Sequence, residues 1–575
     1  MKVKTERQWN KNTLLKEGDF KNTKEMIERV ARLIPERKIF ATLDKDKNIV
    51  YHTAKQLLED VERIGNAFLN LGFKDKHIAI IADNSYEYII TDMAVIGGVG
   101  VTTPIDRDAQ DDLLITLINK CEAQVVCCSS FKLIALERIK AECPKLEQFI
   151  TLDKKVEGYL YLKDLMAEAD MQENAYRKVK IDQDAICQLL FTSGTTGPNK
   201  LVEIRHKNMA ANITNCIDTV KGTNDETNTS MSVLPMHPAT EINTHILPRI
   251  ACGRLTYIND GMKTMMDNIK IFKPYVITIV PMIANMFYKT IWAMAKKNGM
   301  DGKLKKGIKL CKMLNKLGFD ITHKLLKDVF KPFGGNLREI VCGGAALNPE
   351  VVKGLRDLGI FIINGFGITE CGPLVSMNTE TVKDAYSVGL ACPKLQVKID
   401  QPDDEGVGEL CIKGESVSSG YYKDEQATAQ VFDEKGFFHT GDYAKMDNAG
   451  RIFLSGRKKN TIVLENGKNV YPEEIETTLI NSLGYLQEVV VYDAVTTIKG
   501  EDKKVICAGV LVDPAQPKTA EELKADFLKI NATLPVYKRV QYIDVTDSEY
   551  EKTSTRKIKR DIASKRHAKE GGIII

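Results

Sequence analysis

Apolar positions in the first third of the chain recur at two different periods. Over "YHTAKQLLEDVERIGNAFLNLGF", residues Leu57, Leu58, Val61, Ile64, Ala67, Phe68 and Leu71 fall on one side of a helix. "KHIAIIAD" follows as a short β-branched run and predicts a strand. "SYEYIITDMAVIGGVGVTTPI" reads as helix, turn and a further strand, and "AQVVCCSS" as another. This alternation through residues 20–180 predicts a largely parallel α/β sheet. No repeat and no low-complexity tract interrupts it.

From Val388 the texture changes to short strands and turns. "DYAKMDNAGRIFLSG" predicts a hairpin turning at Asp447–Gly450. Beyond Arg457 the pattern predicts a smaller unit: "NVYPEEIETTLINSL" as helix, "QEVVVYDAV" and "VICAGVLVD" as strands, "TAEELKADFLKINATL" as helix. The expected architecture is α/β. Stacked α/β subdomains and a β-rich subdomain fill a large N-terminal domain, 1–456, and a small mobile α+β domain, 461–575, follows a boundary at 457–460.

Length and composition narrow the function. A chain of 575 residues is expected to hold several packed subdomains. Its 81 basic and 77 acidic side chains are too balanced for a dedicated nucleic-acid binder. The 13 cysteines include no CxxC pair, so zinc-ligand spacing is absent. Their odd number and the polar start "MKVKTERQWNKN" suit a reducing cytosol. No apolar run approaches the ~18 residues of a spanning helix. A cytoplasmic protein is expected, one still able to lie on a membrane surface. Residues 289–331 stand apart, with twelve lysines against Asp301, Asp320 and Asp328. Interleaved apolar residues predict two or three basic amphipathic helices there. Two readings stay open: a solvated face, or a surface for anionic membrane that delivers a lipid-like substrate.

Candidate chemistry centres on "LLFTSGTTGPNK", Leu189 to Lys200. Glycines let backbone N–H groups converge, and hydroxyls add donors, which suits phosphate oxygens. The pattern GxxxxGK[ST] is absent, so a phosphate would be held by another scheme. The alternative is a plain strand-to-helix turn.

This loop resembles the phosphate loop of the ANL superfamily of acyl- and aryl-CoA synthetases, adenylation domains and firefly-type luciferases. "NGFGITECGP", "GELCIKGESVSSGYY", "FFHTGDYAKMDNAGRIFLSGRKKN", "NGKNVYPEEIE" and "EKTSTRKIKR" are similar to further motifs of that family, in the family's order, from about residue 20 to 565. The resemblance implies that a carboxylate attacks the α-phosphate of ATP, and that a thiol, usually coenzyme A, then displaces AMP. Thr192, Ser193, Gly194, Thr195, Thr196 and Gly197 would cradle phosphates, with Lys200 adding charge nearby. Glu370, with Thr192, would hold Mg²⁺, and Thr369 would reach the α-phosphate. Phe366 would stack on adenine, with Asn364 at its edge, and Gly367 would belong to the same nucleotide-binding stretch. Gly344 and Ala345 in "CGGAALNP" would form the opposite wall. Asp442 would accept the ribose hydroxyls, and Arg457 would hold ribose or phosphate. Lys459 falls at the family's hinge, and Lys557 would stabilise charge during adenylation.

The sequence departs from the family at Pro198, Asn199 and Leu201 within the loop, at Glu551 and Arg556 near Lys557, and at Pro238, where relatives carry a histidine that shapes the acyl end. Here His237 stands beside it, as a substitute or as packing. The insertion at 285–331, "LPMHPATE" and "LENGKNVYPEEIE" look most like bacterial long-chain fatty-acyl-CoA synthetases, which implies a medium- or long-chain fatty acid or another carboxylic acid as substrate. Two alternatives stand beside that activity: loading of a carrier-protein phosphopantetheine, and a catalytically lapsed nucleotide-binding sensor.

Overall fold

A computed structural model describes residues 13–192, 200–219, 227–345, 347–378, 384–464, 468–498, 501–552, 558–567 and 572–575. Two compact units emerge. Among the described residues, the first comprises those of 13–192, 200–396 and 413–436, and the second those of 397–412 and 437–575.

The first unit holds two large sheets. In the seven-stranded sheet His77–Ile81, Val101–Pro104, Val125–Cys128 and Gln148–Thr151 run parallel, as the strand–helix rhythm predicts. The last pair, Ile186–Phe191 with Leu201–Arg205, is antiparallel. The nine-stranded sheet is parallel from Lys38–Leu43 through Phe361–Gly367 and antiparallel at both ends. Parallel strands carry both faces into the core, so their sequences read as unbroken apolar runs; Val125–Cys128 is buried at every position.

Helices cover these sheets through apolar stripes at helical spacing. Ala54–Asn70 begins at a capping box, with Thr53 and Gln56 satisfying each other's backbone N–H groups, and buries Leu57, Val61, Ile64 and Phe68. Leu71, expected on that face, lies just past the helix and is 40% exposed. The turn expected after Tyr86–Ala94 is a π-helical stretch, Val95–Val99. Residues 281–331 form helices Pro281–Lys297 and Asp301–Lys316 and two single turns, Thr322–Leu325 and Lys327–Phe330.

The second unit holds the expected hairpin. Phe438–Met446 pairs antiparallel with Ile452–Arg457, and Gly450 N–H closes the turn on the Asp447 carbonyl. Asn469–Val470, expected to start a helix, pairs as a strand with Ile462–Val463, and the helix begins at Pro472, where the ring's fixed φ suits a first turn. Leu486–Ile498 and Glu501–Val512 form a hairpin longer than their apolar cores suggest. Among the described residues no helix is long and apolar enough to cross a membrane.

Candidate active site

The glycine-and-hydroxyl loop joins two paired strands, so the residue after it starts a strand and not a helix. Phe191 pairs with Leu201, and Thr192 N–H donates to the Lys200 carbonyl at 2.9 Å. Thr192 and Lys200 therefore face each other at the end of this antiparallel pair. Ser193, Gly194, Thr195, Thr196, Gly197, Pro198 and Asn199 lie outside the described residues.

The returning strand is fastened to residues 418–422. Glu203 N–H donates to the Gly420 carbonyl at 3.1 Å and Tyr422 N–H to that of Leu201 at 2.7 Å. Lys200 Nζ lies 4.4 Å from the centre of the Tyr421 ring, a cation–π contact. The phenol of the same tyrosine donates to Glu370 Oε1 at 2.9 Å, and Ser418 N–H holds the Glu370 carbonyl at 2.8 Å. Burial and the Glu370 charge push the Tyr421 phenol well up, so it remains a donor.

Glu370 sits on a turn, Thr369–Cys371, that follows the strand Phe361–Gly367. Ile368 N–H donates to the Pro373 carbonyl at 2.9 Å, folding the chain back tightly. A Cβ at Gly367 would stand 2.4 Å from the Pro373 oxygen, a backbone atom with nowhere to go. A line of amides anchors this turn. Leu374 N–H donates to Asn212 Oδ1 at 3.1 Å, Asn212 Nδ2 to the Asn243 carbonyl at 2.8 Å, and Asn243 Nδ2 to Gln188 Oε1 at 2.9 Å. Gln188 lies on the first strand of the loop hairpin. The glutamate turn and the hairpin are thus tied twice, through Tyr421 and through this relay.

Strand Glu339–Cys342 pairs parallel with Phe361–Gly367, placing Cys342 against Asn364. Gly344 follows it at φ +86° with open space where a side chain would be, and Ala345 is exposed. Such a left-handed position favours glycine. Asn364 and Phe366 are buried, and the Asn364 amide holds the Ser387 carbonyl at 3.3 Å. The segment 233–240 hangs on Asn84, which donates to the Leu234 carbonyl at 2.7 Å and accepts from Met236 N–H at 3.0 Å. His237 Nε2 lies 3.7 Å from Asp106 Oδ2; burial pulls the imidazole pKa down while Asp106 pulls it back up. The acid nearest His237 in sequence, Glu241, is taken by His245, and the fold brings Asp106 to His237 from 131 positions away.

In the second unit Asp442 is buried and pairs in register with Arg457, whose Nε lies 2.9 Å from Asp442 Oδ1. Beside them Glu409 accepts from Lys458 Nζ at 2.7 Å, contacts His439 Nδ1 at 3.0 Å and accepts from Gly441 N–H at 3.1 Å. Burial raises the Glu409 carboxyl, but Lys458 and His439 outweigh it and hold it below the usual range. Lys459 is exposed on the 3-10 turn Lys458–Asn460. Lys557, Arg556 and their neighbours 553–557 lie outside the described residues.

A family model for AMP-binding enzymes matches residues 27–422. The chain belongs to this family. It is a member of the ANL superfamily of adenylate-forming enzymes, as the ordered motifs implied. Long-chain-fatty-acid–CoA ligase 1 of Cavia porcellus is 27% identical over 468 residues, covering 74% of this chain and 66% of that protein. Long-chain-fatty-acid–CoA ligase 5 of Rattus norvegicus is 26% identical over 502 residues, covering 80% and 71%. The chain thus spans 66% and 71% of these relatives' lengths. Among solved structures, the anthranilate CoA ligase AuaEII in complex with anthranoyl-AMP is similar with a TM-score of 0.77 at 20% identity, covering 95% of this chain and 98% of that one. ATP-bound MatB from Rhodopseudomonas palustris gives 0.76 at 18%, covering 95% and 99%. At these identities the likeness is one of fold, and the α/β architecture agrees with it.

Within this AMP-binding enzyme, Thr192, Lys200 and Glu370 are brought together in the first unit, and Asp442 and Arg457 in the second. Tyr421 is the residue that sequence reading passed over. It stands inside a quoted motif, and its two neighbours in space come from 221 and 51 positions away. Glu370 also suits a magnesium ion that accompanies a nucleotide. Such an ion takes few protein oxygens beside phosphate and water. Oε1 is fixed by Tyr421, and Oε2 has no protein donor among the described residues. The His, Cys, Asp and Glu ligand cluster present among those residues, Asp400, Cys411 and His439, lies elsewhere, on the sheet that carries Asp442.

Proposed function

We propose that this AMP-binding enzyme joins a medium- or long-chain fatty acid to coenzyme A, releasing AMP and pyrophosphate. The observation that carries the reading is the Lys200–Tyr421–Glu370 constellation. It sets one cation and one oriented carboxylate beside the mouth of a loop rich in N–H and hydroxyl donors. The naming of the mammalian relatives as long-chain-fatty-acid ligases supports the choice of acid.

In the first half-reaction a carboxylate oxygen attacks the α-phosphorus of ATP, and the bond to pyrophosphate breaks. Catalysis of this kind rests on positioning and charge neutralisation. Residues 192–197 and Lys200 bind the departing phosphates, Thr369 meets the α-phosphate, and Asp442 with Arg457 takes the ribose. Gly344 leaves room for the nucleotide, and Lys557 stabilises the charge on carboxylate and α-phosphate. Mg²⁺ bound at Glu370 would neutralise phosphate charge. In the second half-reaction the thiol sulfur attacks the acyl carbonyl, the bond to AMP breaks, and the thiol proton passes to solvent. His237, with Asp106 3.7 Å from it, would shape the acyl end. Each methylene buried there contributes about 0.8 kcal/mol, so chain-length preference follows from the depth of that end.

The test is exchange of labelled pyrophosphate into ATP over a panel of acids, followed by thioester formation. Exchange with fatty acids and a thioester on free coenzyme A is the expected result. Silence with every acid would mean a nucleotide binder without turnover. A thioester only on a carrier protein would overturn the assignment of coenzyme A.

A further inference from the structure

Helices Pro281–Lys297 and Asp301–Lys316 and the turns after them carry an unusual surface. All twelve lysines between 289 and 331 are exposed. Two of them meet a carboxylate, Lys312 at Asp357 and Lys331 at Asp328. The other ten have no carboxylate partner among the described residues, and nothing in this stretch beyond Asp301, Asp320 and Asp328 offsets them. A solvated face made only of charge is common. This one also exposes large apolar groups: Met282 at 62%, Met313 at 54%, Leu317 at 67% and Phe319 at 65%.

The two sets are arranged together. Along Asp301–Lys316 and its end, Lys303, Lys306, Leu310, Met313 and Leu317 follow at intervals of three and four, the spacing of one stripe on a helix. The inward side of the same helix is marked by buried Leu304 and Cys311, seven residues apart. On Pro281–Lys297, Met282, Met286 and Lys289 repeat the outward arrangement, with Ile283, Phe287 and Ile291 buried behind them. The apolar stripe is therefore not the helix's core face. It is a second, outward one, in line with lysines.

We infer that this helical pair is a docking surface for anionic phospholipid. A lipid surface rewards both halves of the pattern: the acidic headgroups attract the lysines, and the acyl boundary takes Met313, Leu317 and Phe319. A soluble polyanion, such as an acidic carrier protein or a nucleic acid, would use the lysines and leave Leu317 and Phe319 in water. Lysine stems also lie along apolar surface while their ammonium groups stay at the headgroups. Docking here needs no spanning segment.

The experiment is co-sedimentation of the whole protein with vesicles of phosphatidylcholine alone and of phosphatidylcholine mixed equally with phosphatidylglycerol. It is read without substrates, so it stands or falls apart from the ligase assignment. Binding only to the mixed vesicles, weakened by salt, is expected. Lys303→Gln/Lys306→Gln/Lys309→Gln should weaken partitioning about 100-fold, at about fivefold for each lysine near an acidic surface. Met313→Ser/Leu317→Ser should weaken it too while leaving the thermal unfolding midpoint in place. Absence of binding to the mixed vesicles would overturn the inference. So would equal binding to both kinds of vesicle, or binding untouched by the lysine changes. Retention of an acidic carrier protein without any vesicle binding would assign the surface to protein instead.

Discussion

Tyr421→Phe isolates one bond at the centre of the proposed site. The ring stays, so the contact with Lys200 at 4.4 Å stays, and the volume hardly changes in a position that is 7% exposed. The group removed is the hydroxyl that donates to Glu370 Oε1 at 2.9 Å. A hydrogen bond to a charged acceptor contributes about 1.5–3 kcal/mol, and the half-exposed carboxylate puts this one near the lower end. About 1.5–2 kcal/mol corresponds to roughly a 10- to 30-fold loss in kcat/KM for ATP. Pyrophosphate exchange at saturating acid, with the MgATP concentration varied, measures it. Because the phenol acts only by holding Glu370, the loss should nearly vanish in a Glu370→Gln background, where the acceptor is already neutral. Full additivity of the two changes, or an unchanged kcat/KM in Tyr421→Phe, would refute the view that this tyrosine orients the carboxylate. The phenol's raised pKa removes it as a source of pH dependence below pH 10, so the defect should be equal at pH 7 and pH 9.

Gly367→Ala drives a methyl against the Pro373 carbonyl and should displace the glutamate turn, lowering the exchange rate and costing about 1–3 kcal/mol in urea unfolding. Lys557→Ala should slow adenylate formation about 10²–10³-fold and spare thioester formation from supplied acyl-adenylate, read as two separate half-reactions. Asp92 is fully buried, neither of its oxygens meets a donor in good hydrogen-bond geometry among the described residues, and burial pushes its carboxyl up to about 7 against the opposing effect of the Thr102 hydroxyl. The folded protein then keeps a proton that the unfolded chain has lost, so this group's contribution to stability falls as pH rises from about 4 to 7, by on the order of 4 kcal/mol. Asp92→Asn, neutral throughout, should gain on the native protein between pH 5 and pH 7.5 in urea unfolding; a constant difference would count against the buried acid.

Much of this fold could be read where one local signal dominates. The helix at 54–70 has both its apolar stripe and its capping box in the sequence, and the hairpin at 438–457 has Asp447 and Gly450 at its turn. Failures came where a local signal was shared by two structures. Asn469 and Val470 precede a helix start and also suit a strand; pairing with Ile462–Val463 decided it. After the loop, Leu201, Val202 and Ile204 suit a strand, and the strand-to-helix alternative fell only once Leu201 was seen paired with Phe191. At the site, motifs disclosed single residues such as Glu370 and Asp442 but not their supports. Gln188, Asn243, Asn212 and Leu374 are joined across separations of 55, 31 and 162 residues, and polar side chains of that kind carry no periodicity to betray them.

That line of carboxamides has a further consequence. Every link in it is neutral, so neither protons nor dissolved ions can loosen it within the range in which the protein stays folded. The tie made by these side chains carries no charge of its own to titrate or to screen, unlike the tie through Tyr421 to the Glu370 carboxylate. Changes in turnover with acidity or ionic strength would then trace to the reactants and to groups that bear charge, and not to the making or breaking of this relay.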